Sequence, residues 1–98
     1  MIRRIVFRQQ ARTEFHEAVT WYDERRTGLG AEFVRAVEDA ILRAADAPQR
    51  WPITFADIRR IVTRRFPYVL FFRVRNDTLV VVAVFHVRRD PQTRRDRG

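Results

Sequence analysis

An α+β fold is predicted, built from an N-terminal strand, an antiparallel two-helix hairpin and a C-terminal antiparallel β-meander packed on the helices. Three observations predict it. Apolar residues recur at three- and four-residue spacing between Ala11 and Ala44, the period switches to strand-like alternation beyond Arg60, and only short polar or Pro/Gly breaks separate the segments. The 98 residues are expected to form one domain, since 46% hydrophobic and 12% aromatic content is enough for a core. That core is modest, because a chain of this size buries only about 60–65% of the surface its unfolded form exposes.

Each element has its own local reason. Arg4–Phe7 carries the β-branched and aromatic bias of a short strand. Ala11, Phe15, Ala18, Val19 and Tyr22 make one apolar stripe, predicting a helix that ends near Arg26 with Gly28 as a left-handed C-terminal residue. Leu29, Phe33, Val37, Ala40, Ile41 and Ala44 make a second stripe that Pro48 stops. Trp51-Pro52 opens a stretch expected to be irregular as far as Asp57. Arg60–Arg65 reads as a short strand interrupted by Phe66-Pro67, and Tyr68–Arg75 as a strand that alternates Leu70, Phe72 and Val74 against Val69, Phe71, Arg73 and Arg75. Asn76-Asp77 suits a two-residue hairpin turn, because both residues tolerate positive φ. Thr78–Val87 is almost wholly apolar, as a central strand covered on both faces would be. A chain of this length has no second layer for the face turned away from the helices, so an apolar sheet face rimmed by arginines predicts a docking partner. Residues 92–98 form a polar, arginine-rich tail expected to fray.

The charge is sided. Residues 1–57 hold nine Arg and nine acidic residues and sum to zero, whereas residues 58–98 hold eleven Arg against three Asp and sum to +8. Such asymmetry creates a directional field that attracts nucleic acid or an acidic protein. Cysteine is absent, which excludes disulfides and thiolate zinc sites, and lysine is absent, which excludes a lysine base or Schiff-base nucleophile. No apolar stretch of signal or membrane-span length occurs in Met1–Gln10, so a soluble, cytoplasmic protein without membrane contact is expected. His16 has Glu17 beside it but no third ligand in reach by spacing, so neither a metal nor any other cofactor is expected. Asp23-Glu24 and Glu38-Asp39 are sequence neighbours that diverge by about 100° on a helix. They read as solvated faces rather than acid/base pairs.

Four segments in this order resemble the RelE/ParE superfamily of type II toxins, and its ParE-like branch most closely. They are Trp21-Tyr22, Gly28-Leu29-Gly30 followed by Glu32-Phe33, Arg64-Arg65-Phe66-Pro67-Tyr68, and Val84-Phe85-His86-Val87-Arg88-Arg89-Asp90-Pro91. The resemblance runs from about Ile5 to Arg95. It implies a toxin neutralised by a cognate antitoxin in a hetero-oligomer, with Trp21, Tyr22, Val69 and Phe71 as antitoxin-contact candidates. Two mechanisms exist in the superfamily: ParE-like members poison DNA gyrase without chemistry of their own, and RelE-like members are ribosome-dependent mRNA endoribonucleases.

For the first mechanism, Arg64, Arg65, Arg73, Arg75, His86, Arg88 and Arg89 form the expected basic face for target and antitoxin, and no catalytic residue is required. For the second, Arg64, Arg73 and Arg89 would stabilise phosphorane charge and His86 would move the proton. The chain departs from the RelE pattern, which is rich in Lys and Arg and ends in a Tyr, having no Lys and no Tyr beyond Tyr68. Gyrase inhibition therefore ranks ahead of mRNA cleavage. A general nucleic-acid-binding module, with Phe66, Tyr68, Phe71 and Phe72 stacking bases between arginines, ranks third.

Overall fold

The computed structural model describes residues 1–89; the tail expected at residues 92–98 lies outside them. The chain opens with β1 (Arg4–Phe7), turns at Arg8 into α1 (Gln9–Arg25) and returns as α2 (Leu29–Asp46). A 3-10 turn at Pro48–Arg50 leads to β2 (Ile53–Phe55), β3 (Ile58–Val62), β4 (Tyr68–Arg75) and β5 (Thr78–His86), and a second 3-10 turn covers Val87–Arg89. The five strands form one sheet in the order β1-β5-β4-β3-β2. Strands β2 to β5 are an antiparallel meander, and β1 adds parallel to the free side of β5. β5 is thus central over its first half, as its apolar run predicts. The predicted α+β architecture is the observed one.

Two strand boundaries differ from expectation. Residues 53–55 form an edge strand inside the stretch expected to be irregular; three residues with a register shift against β3 are too short to show a period. The strand expected at Arg60–Arg65 lies at Ile58–Val62 instead. Arg64 and Arg65 fall in the following turn, where Arg65 takes φ 71°. The hairpin turn at Asn76-Asp77 is where expected, but Asn76 is the only one of the two with positive φ.

The helical hairpin owes its closeness to Gly28-Leu29-Gly30. Gly28 adopts φ 92°, a left-handed conformation that glycine enters without strain. At Gly30 a Cβ would stand 2.8 Å from the Val19 carbonyl oxygen, so only glycine lets α2 approach the α1 backbone this closely. Asp23 completes the junction: its Oδ1 accepts the N–H groups of Gly28 at 2.9 Å and Gly30 at 3.3 Å, satisfying donors that the start of α2 leaves orphaned. Asp23 is a cap rather than part of a solvated face.

The helices bury their predicted stripes on one face of the sheet. Ala11, Ala18 and Tyr22 from α1 and Phe33, Val37, Ala40, Ile41 and Ala44 from α2 meet Ile61, Tyr68, Leu70, Phe72, Leu79, Val81 and Val84. At the centre, neighbouring rings of Tyr22, Phe33, Phe66 and Tyr68 lie 4.9–6.0 Å apart, in mostly edge-on geometries that suit their quadrupoles. Phe66 reaches this cluster from the Thr63–Pro67 turn, whose shape is held by the Thr63 hydroxyl donating to the Phe66 carbonyl at 2.7 Å.

A β-bulge at Val82 corrects the predicted parity of β5. Phe71 pairs with Ala83 but Phe72 pairs with Val81, leaving Val82 as the extra residue. Strict alternation would put Leu79, Val81, Ala83 and Phe85 on one face. Instead Leu79, Val81 and Val84 enter the core, Ala83 and Phe85 turn outward, and His86 joins Tyr68 on the helix side.

Candidate functional site

The residues expected to form one basic face occupy three places. Arg64 and Arg65, in the turn before β4, fold back toward α2. Arg65 Nη2 lies 2.8 Å from Glu32 Oε1 and Arg64 Nη1 lies 3.7 Å from Asp39 Oδ2. Glu32 also holds Arg26 at 3.2 Å, and Asp39 also holds Arg43 at 2.9 Å. The hydrogen bond from Arg65, with Arg26 nearby, keeps the Glu32 carboxyl below its ordinary pKa against the opposing effect of burial. Asp39 thus serves as an ion-pair anchor rather than a solvated acid.

Arg73 and Arg75 lie on the sheet face away from the helices. Asp57, in the β2–β3 turn, bridges them: Oδ1 is 3.0 Å from Arg73 Nη2 and Oδ2 is 3.1 Å from Arg75 Nη1. The Arg73 side chain is only 20% exposed, and its Nε is buried without a hydrogen-bond acceptor. Arg60, which pairs with Phe71 across β3 and β4, stands over the Phe71 ring at 6.0 Å and joins this outer group. Sequence reasoning overlooked Arg60 and Asp57, although the alternation of β3 against β4 places Arg60 on the outer face once the register is known.

His86 occupies the third place. Its ring packs edge-on to Tyr68 at 5.3 Å, and its Nδ1 accepts the Arg88 N–H at 3.1 Å. Arg88 is exposed beside it, and Arg89 ends the described backbone with its side chain outside the described atoms. His86 lies opposite Tyr68, and Arg73 lies opposite Val80. The two therefore sit on opposite sheet faces and, at about 3.3 Å per residue, roughly 17–20 Å apart along the strand. The constellation Arg64, Arg73 and His86 is not assembled: Arg64 turns toward Asp39 on α2, and His86 is separated from Arg73 along the strand and, through the bulge at Val82, by face.

The antitoxin-contact candidates also divide. Trp21 is 48% exposed, with the Arg25 guanidinium 3.8 Å over its ring, whereas Tyr22 belongs to the core. Val69 and Phe71 were expected to be uncovered; they are 0% and 7% exposed, with Phe85 packed edge-on to Phe71 at 6.1 Å. The outer face is thus less open than its apolar row predicts. Its exposed apolar positions lie toward the β2 side, at Phe55 and Val62.

Beyond Phe7, β5 continues with no strand on its outer side among the described residues, and α1 runs past this edge. Glu14 reaches over from α1, its Oε1 accepting the Val84 N–H at 2.8 Å. Burial raises the Glu14 carboxyl above its ordinary pKa, more than this bond and that from Gln10 lower it, and Glu17 adds to the rise. Among the described residues, no group of three His, Cys, Asp or Glu side chains gathers to hold a metal, and no helix is long and apolar enough to cross a membrane.

The fold, a helical hairpin on one face of a β1-β5-β4-β3-β2 sheet with arginines on the other, has counterparts among solved structures. The chromosomal ParDE toxin-antitoxin system of P. aeruginosa contains a chain that superposes with a TM-score of 0.74 at 11% identity, covering 87% of this chain and 96% of that one. The intact RelBE toxin-antitoxin complex of E. coli contains another, with a TM-score of 0.61 at 16% identity, covering 83% and 92%. No curated protein sequence matches. The fold is therefore that of RelE/ParE-type toxins. Residues 5–91 match the family described as the ParE toxin of the type II toxin-antitoxin system parDE, and the chain belongs to that family.

Proposed function

We propose that this toxin is a ParE-like inhibitor of DNA gyrase that performs no chemistry of its own and is neutralised by a cognate antitoxin. The separation of His86 from Arg73 carries this reading. Cleaving RNA by 2′-hydroxyl attack needs a proton-transfer group and cationic stabilisers around one phosphate. A histidine beside Tyr68 and arginines held by Asp57 on the opposite face do not meet that need. A binder needs only a surface, and Arg60, Arg73 and Arg75 supply a rigid, positively charged one. Family membership, with the ParDE and RelBE counterparts, supports the antitoxin as partner.

A supercoiling assay with purified toxin and gyrase, run beside ribosome-programmed mRNA, tests the proposal. Wild type and His86→Gln should both abolish supercoiling and accumulate cleaved DNA while leaving the mRNA intact. The folded double variant R73E/R75E should lose at least tenfold in potency. Intact supercoiling with codon-position mRNA cuts that His86→Gln removes would overturn it and make the chain a ribonuclease.

A further inference from the structure

A cleft of about 340 Å³ opens between α1 and the ends of β4 and β5. Glu14 and Glu17 enter from the helix, Trp21 and Tyr68 form aromatic walls, and Phe85 and His86 close the strand side. This is an acidic, aromatic concavity on a chain of net charge +8.

Its carboxylates differ from the others that organise the fold. Glu32, Asp39 and Asp57 each hold two arginines. Among the described residues, neither Glu14 nor Glu17 is ion-paired with an arginine. Glu14 is nevertheless held in place, because its Oε1 takes the Val84 N–H and its Oε2 takes the Gln10 amide at 3.4 Å. A carboxylate has about four acceptor sites, so both groups keep capacity for a donor. Burial and the proximity of Glu17 disfavour the Glu14 charge, a cost that an incoming cation would offset. The walls suit the same ligand: Trp and Tyr faces attract guanidinium, and the Trp21 ring already carries the Arg25 guanidinium.

We propose that this cleft receives an arginine side chain of the antitoxin, its guanidinium between the Glu14 and Glu17 carboxylates and against the Trp21 and Tyr68 rings. The partner's identity rests on the antitoxin reading above; the chemistry of the cleft does not. Charge complementarity selects the occupant, since a planar fork of five donors matches two carboxylates and stacks on aromatic rings, whereas a neutral side chain would leave Glu14 uncompensated.

Titration of the full chain with Nα-acetylarginine methylamide, followed by NMR at the Trp21 indole and the His86 ring, tests this. Saturable shifts at those two residues are expected, with at least tenfold weaker binding of the neutral isostere Nα-acetylcitrulline methylamide. The double variant E14Q/E17Q should abolish them, and it should fold because the amide oxygen introduced by E14Q can still accept the Val84 N–H. Equal binding of the citrulline compound, shifts that persist in the double variant, or no saturable shift would overturn the cleft assignment while leaving gyrase inhibition and neutralisation untouched. If the cleft binds arginine but the antitoxin protects gyrase equally from wild type and E14Q/E17Q, the arginine is not the antitoxin's and the proposal fails. If no antitoxin protects gyrase from wild type, the antitoxin reading fails instead.

Discussion

The two faces of this sheet are made by alternate residues of the same strands, yet they are covered in different ways. On the helix side, Tyr68, Leu70 and Phe72 meet hydrocarbon from α1 and α2, and four aromatic rings interlock at 4.9–6.0 Å. On the outer side, Phe71 is covered partly by Phe85 and by the Arg60 guanidinium, and Arg73 and Arg75 are tied down by Asp57. An arginine that is only 20% exposed, as Arg73 is, must lay its aliphatic stem along its neighbours. The difference teaches that arginine can close an apolar sheet face and keep it charged. One side is closed by hydrocarbon, the other by ion-paired arginines.

Three substitutions would break or sharpen that contrast. The largest effect is expected for Phe33→Ala, which empties the centre of the aromatic cluster at a fully buried site; a loss of about 3–5 kcal/mol should appear as a lower urea midpoint. Gly30→Ala comes next. Its new Cβ would meet backbone at 2.8 Å, so the hairpin must spread, at about 1–3 kcal/mol in the same unfolding assay.

The smallest effect on stability is expected for Asp57→Asn, within about 1 kcal/mol because the pair partners are partly exposed. That substitution should instead act on recognition, raising the salt concentration needed to elute the protein from a polyanion column by freeing Arg73 and Arg75. A D57N loss as large as that of F33A would show that the outer face is core after all. Unchanged elution would show that Asp57 does not mask the arginines.

How much of this was legible in sequence depended on the range of the interaction. The apolar stripes of α1 and α2 are local periodicities, and every residue named in them is buried or packed against the core. The glycines of Gly28-Leu29-Gly30 signalled a turn, but the clash that requires Gly30 involves the Val19 carbonyl across the hairpin. Asp23 looked solvated because the Gly28 and Gly30 amides meet it only once the chain leaves α1; for Asp39 the i,i+4 partner Arg43 was legible on the helix, and only Arg64 is brought near by chain reversal. The +8 half also looked like one basic surface, whereas four of its eleven arginines, Arg64, Arg65, Arg73 and Arg75, are ion-paired in separate places with Glu32, Asp39 and Asp57 of the neutral half.

Hydrophobic period, turn chemistry and composition by themselves determined the α+β class, the two helices, the β4–β5 hairpin and the sided charge, because each depends on residues within a few positions of one another. The tertiary structure alone decided which charges face outward and where His86 lies. A single extra residue at Val82 reverses the parity of all that follows it on β5, and no local pattern in an unbroken apolar run marks where that residue sits. Without the bulge, His86 would share the face of Arg73; with it, the histidine joins Tyr68 at the α1 cleft, and the arginines stay on the outer face without that histidine.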